Sequence, residues 1–116
     1  MVFRVKGIEN RVLVVYGFRN HKPHYDLVLT LVRNRVSYSV HGFLSRVKLR
    51  RKDFLVLWDF LRSILDLRYL VFEALEEHAK VYKEFLPVIK SRKGKTFNGF
   101  PCEILVVDLE GEIKEV

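Results

Sequence analysis

The apolar positions of this 116-residue chain fall into three regimes: short alternating runs, then a stretch of longer period, then alternation again. Val2–Lys6 and Arg11–Tyr16 are rich in β-branched and aromatic residues, and Gly7-Ile8-Glu9-Asn10 between them reads as a hairpin turn. Residues 17–24 are polar and punctuated by Gly17 and Pro23, so a loop is expected. Tyr25–Arg33 predicts a third strand, apolar on both parities and so covered on both faces. Asn34-Arg35 suits a two-residue turn, because Asn tolerates positive φ. Val36–His41 alternates cleanly until Gly42 breaks it, and Arg46–Arg50 alternates again with Val47 and Leu49 on one side.

The period then lengthens. Asp53 is a candidate N-cap for a helix running to about Leu65, whose polar positions Asp59, Arg62, Ser63 and Asp66 form one narrow stripe. A second helix is expected from about Arg68 to Ile89, with Val71, Leu75, His78, Tyr82, Phe85 and Ile89 along one side. Lys90–Gly99 reads as a basic loop. Pro101 leads into the strand Cys102–Leu109, and Glu110-Gly111 turns the chain into a terminal strand, Glu112–Val116. The expected fold is a single α+β domain over residues 1–116. Its mainly antiparallel sheet has an N-terminal meander of about five strands and a C-terminal hairpin, packed against two α-helices.

Composition narrows the class. With 49% apolar residues the chain can build a core without staples, and its one cysteine, Cys102, has no internal partner and is expected to pack as a small hydrophobe. The most apolar stretch, Phe54 to Leu75, carries Asp59, Arg62, Asp66, Arg68 and Glu73, which excludes a membrane-spanning helix. With no signal-peptide pattern at the N-terminus, the expected compartment is the cytoplasm. Glutamine is absent and the only methionine is Met1, a thermophile-like depletion of labile side chains.

Charge changes the picture further. Residues 1–52 hold twelve Lys/Arg against two Asp/Glu, residues 53–89 four against seven, and residues 90–116 five against five. The surplus therefore sits in the N-terminal half and implies a polyanionic partner. Arg46, Lys48 and Arg50 would project from one face of a strand, with Arg51 and Lys52 continuing to a helix start, a row suited to phosphates. Arg4 and Lys6 on the first strand add to it. Lys90, Arg92, Lys93 and Lys95 precede Phe97 and Phe100, which pairs cations for a backbone with rings for unpaired bases. These thirteen residues make the expected DNA or RNA contact surface. The plainer reading takes the strand as a charged edge and the two rings as core plugs. The alternative function is assembly, as a homodimer joined through the apolar helix 53–66.

Enzymatic signatures are thin, and neither cofactor nor metal is expected. Gly94-Lys95-Thr96 resembles a P-loop ending but lacks the earlier glycine and the strand-to-helix order. His21 and His24 have a chelating spacing with no third ligand, and His78 sits on an apolar stripe, where a core histidine is expected. His41, outward beside Ser37 and Ser39, is a general acid or base only if RNA is cleaved nearby. Asp108 with Glu112 and Lys114 has a nuclease-like composition, but the two acids flank one hairpin turn.

Overall fold

A computed structural model of the chain describes residues 1–9, 11–19 and 24–114. Strands β1 (Val2–Ile8), β2 (Val12–Phe18), β3 (Leu27–Arg33) and β4 (Ser37–Ser45) form an antiparallel meander. Helix α1 (Arg51–Ile64) then crosses to β5 (Tyr69–Leu75), which lies parallel to β4. Helix α2 (Glu76–Phe85) leads to the antiparallel pair β6 (Val88–Lys95) and β7 (Pro101–Asp108), with β7 inserted beside β5. The result is an α+β fold with one seven-stranded, mostly antiparallel sheet, in the order β1-β2-β3-β4-β5-β7-β6.

Period-2 burial sets which face each strand shows to the helices. Val15, Leu29, Leu31, Tyr38, Leu70 and Val107 share one face and form a single core with Leu57, Trp58 and Leu61 of α1. On the same face Ala79 of α2 packs against Ala74 and Leu105. Both helices therefore lie on one side. The expectation that β3 is covered on both faces fails for this reason: Leu27, Leu29 and Leu31 are buried, while Val28 and Val32 stay half-buried on the other face.

Several boundaries move. Arg46–Arg50 keeps its alternating exposure but has no strand partner, so it is an extended lead into α1, and Asp53 is the third helical residue with Arg50 at the N-cap. Residues 69–75 are a strand, because Leu70, Phe72 and Ala74 meet the helix layer, which corrects the helix expected from about Arg68 to Ile89. Leu75 passes straight into α2 without a glycine or proline to mark the change. Residues 88–95 pair with β7 as an edge strand, and edges are often too charged to show alternation. β4 runs through Gly42 by means of a register shift opposite Thr30/Leu31. Glu9 (φ 56°), not Gly7, takes the left-handed position at the first hairpin. Glu112, Ile113 and Lys114 form no strand, and the last two residues of that expected element lie outside the described residues. No helix among the described residues is long and apolar enough to cross a membrane.

Leu61 is 1% exposed and Val56, on the same helix, 44% exposed. Leu61→Ala is expected to cost about 3 kcal/mol in denaturant unfolding, and Val56→Ala less than about 0.5 kcal/mol. Equal losses would contradict this placement of α1.

Candidate functional site

The parallel contact between β4 and β5 is short. Pairing covers Ser37–Tyr69, Tyr38–Leu70 and Ser39–Val71 and then stops, although β4 continues to Ser45 and β5 to Leu75. Beyond that point each strand has an edge with no strand partner across the gap. A cleft of about 510 Å³ opens there, walled by Phe54, Leu57 and Trp58 of α1 and by Phe72 and Tyr82. Its polar lining comes from His41, Glu73, His78, Tyr82 and Thr96. Mostly apolar walls with a few polar groups are the usual makeup of a small-molecule site.

Three features fix this geometry. At the closed end, Asp66 follows α1 and accepts hydrogen bonds from Arg33 Nη2 at 2.9 Å and from the Tyr38 hydroxyl. Tyr38 is the β4 residue paired with Leu70, so the clamp sits where the parallel contact begins. At the other end, Phe54 meets Phe85 edge-on at 5.4 Å, and the Arg51 guanidinium lies 5.7 Å from the same ring. The first turn of α1 therefore abuts the last turn of α2. Between them stands Trp58, whose buried indole Nε1 has no hydrogen-bond partner among the described residues.

His78 and Tyr82 stand four residues apart on α2 and so occupy neighbouring positions on one helix face. Burial raises the Tyr82 phenol above its ordinary pKa, which keeps it protonated. His78 is exposed at the cleft, which corrects the expectation of a core histidine: the helix core is Ala79 and Phe85 instead.

The start of α1 is already occupied by a side chain of the protein itself. The buried Asp53 carboxylate accepts the Arg50 N–H at 2.9 Å and Arg19 Nη2 at 2.9 Å, and Arg19 also donates to the Lys48 carbonyl at 3.2 Å.

The thirteen residues expected to contact nucleic acid do not converge. Arg4 and Lys6 lie on β1, while Lys90, Arg92, Lys93 and Lys95 lie on β6, at opposite edges of the sheet. Register further splits the β6 group, since Lys93 opposes Glu103 on the helix side and Lys90 opposes Val106 on the other. Arg46, Lys48, Arg50, Arg51 and Lys52 gather around the α1 start, where Arg46 lies 5.4 Å from the Tyr25 ring. Phe97 and Phe100 are exposed at the β6–β7 hairpin and plug no core. The alternatives fare no better. Leu57, Trp58 and Leu61 of the helix proposed for dimerisation are buried in the chain's own core. Asp108 pairs with Arg68 at 2.8 Å rather than joining a nuclease-like cluster. Among the described residues no group of three or more His, Cys, Asp or Glu is placed to hold a metal, and His21 lies outside them.

A parallel crossover that leaves two strands parted defines the class: an open α+β sheet with a cleft at the split. Among solved structures, the chain is similar to an aminoglycoside 6'-acetyltransferase type Ii, with a TM-score of 0.59 and 8% identity over 90% of this chain and 73% of that one. This likeness concerns the fold. With a fold similar to that of an acetyltransferase structure and the cations dispersed over it, the nucleic-acid reading is overturned. No family model matches the chain. No curated protein matches it either.

The clamp carries a pH signature. Hydrogen bonds from Arg33 and Tyr38 lower the Asp66 carboxyl from 3.8 to about 2. A depressed folded-state pKa adds stability above the unfolded value and loses it as pH falls through the folded one. The stability gap between the wild type and Asp66→Asn is therefore expected to be full above about pH 4 and to close toward pH 2. Urea unfolding at pH 6, 3 and 2 measures it, and a gap that does not change with pH would rule the clamp out.

Proposed function

We propose that this chain is an acyltransferase whose two substrates meet in the cleft between β4 and β5. The parting of these strands carries the reading. It supplies an apolar-walled space, unpaired backbone edges and two titratable side chains on one helix face, within a fold similar to that of an acetyltransferase.

Acyl transfer from a thioester to an amine forms a C–N bond and breaks a C–S bond through a tetrahedral oxyanion. A base must take a proton from the attacking nitrogen, and an acid must protonate the departing sulfur. His78 is assigned the first task and Tyr82 the second, since they adjoin one another and the phenol keeps its proton. Backbone N–H groups on the unpaired edge of β4 beyond Ser39 suit the oxyanion. Glu73 lines the cleft, and Glu76 and Glu77 follow it at the start of α2, where they favour a protonated amine; Arg46, Lys48 and Lys52 lie around the start of α1 and favour an anionic donor.

A diphosphate-bearing donor fits the α1 start poorly. Cradling phosphate on backbone amides calls for glycine, so that the main chain can approach, and residues 43–93 contain none. The Asp53 carboxylate also holds the Arg50 amide. The donor is therefore assigned as an acyl thioester, with any phosphates met by side-chain cations.

The test follows free-thiol release by the purified chain with a panel of amines and either acetyl-coenzyme A or a short, phosphate-free acetyl thioester. Turnover above the spontaneous rate is expected, falling roughly 100-fold in Tyr82→Phe and in His78→Ala with an unchanged melting midpoint. Absence of thiol release from both donors would remove the reading.

A further inference from the structure

We propose that the helix-free face of the sheet docks an amphipathic helix of another protein, apolar along its middle and acidic at both ends. This surface adjoins the cleft at Glu73, and the proposal does not depend on acyl transfer.

Both helices pack on the face that carries Leu29, Leu70 and Val107. The register places Val28, Val71 and Val106 on the opposite face, where they are half-buried and where no helix lies among the described residues. Leu44, paired with Val28, is 59% exposed there. An apolar sheet face normally requires a covering layer.

Charge identifies the occupant. Arg4 and Lys6 pair with Tyr16 and Val14 at the β1 edge of this face, and Lys90 and Arg92 pair with Val106 and Ile104 at the β6 edge. All four are exposed, and none is in an ion pair among the described residues. The face is thus largely apolar in the centre, with Glu73 of β5 among its aliphatic residues, and cationic along two opposite edges. A second copy stacked face to face meets an obstacle. Whether the two-fold axis runs along or across the strands, cationic edges come to lie over cationic edges. A flat bilayer fits badly too, because six strand-to-strand steps at about 20° each twist the edges roughly 120° apart. A single helix fits. The six steps span about 29 Å at ~4.8 Å each, a length covered by about 19 helical residues at 1.5 Å. Acidic residues at its two ends would then meet the two cationic edges.

The experiment titrates the ¹⁵N-labelled full chain with a synthetic 20-residue amphipathic peptide, leucine along one face and glutamate at both ends, and with a twin carrying lysine at the ends. Expected are saturable shifts at the Val28, Val71 and Val106 amides with the acidic peptide, and binding at least tenfold weaker with the twin. Changing Arg4, Lys6, Lys90 and Arg92 together to Glu is expected to reverse that preference, and Leu44→Lys alone to weaken the acidic peptide's binding. Equal binding of the two peptides, or shifts confined to the cleft, would overturn the proposal. So would a face-to-face dimer in sedimentation that Leu44→Lys abolishes, or binding to phosphatidylserine vesicles with no response to the peptide.

Discussion

The structure depends on a parallel strand contact that is only three residue pairs long. If β4 and β5 paired along their whole length, the sheet would be continuous and the space beneath α1 and α2 would close. Two things limit the contact. The Asp66 clamp to Arg33 and Tyr38 fixes where it begins, and the bulky side chains of Phe54, Trp58, Phe72 and Tyr82 wall the space where the strands part. The cleft is a consequence of packing, and its polar lining is placed by that packing rather than by any local motif.

Both helices follow the C-terminal ends of the parallel pair β4 and β5, and their starts differ in charge. The α1 start collects the basic segment that follows β4, and the α2 start collects Glu76 and Glu77. Asp53 and Arg19 complete the α1 start from within, so a helix terminus that would otherwise attract an anion is already neutralised in part. On the other side of the same sheet Val28, Val71 and Val106 stand half-buried, with no helix over them among the described residues.

Much of the fold was legible in the chain. The meander and the β7 strand follow from alternation and from turn residues, and α1 from its narrow polar stripe. What the pattern did not disclose was β5. Leu70, Phe72 and Ala74 alternate, but Val71 and Leu75 also fit a helical stripe that continues into α2, and no glycine or proline marks the junction at Leu75. Reading residues 69–75 as helix hid the strand–helix–strand crossover, and with it the parallel contact and the cleft. His78 and Tyr82 were visible as residues but were assigned to a core stripe, because their surroundings are set by strands distant in sequence. The charge surplus was real, but a count along the chain cannot show that β1 and β6 end at opposite edges of one sheet.

The most direct test of the cleft is an amide-resolved titration of the full chain with acetyl-coenzyme A and, separately, with the phosphate-free thioester. The account predicts saturable shifts at Val40, Gly42, Phe72, His78 and Tyr82, on both sides of the gap between β4 and β5. Shifts confined to the surface lysines and arginines, or no shifts with either thioester, would contradict it.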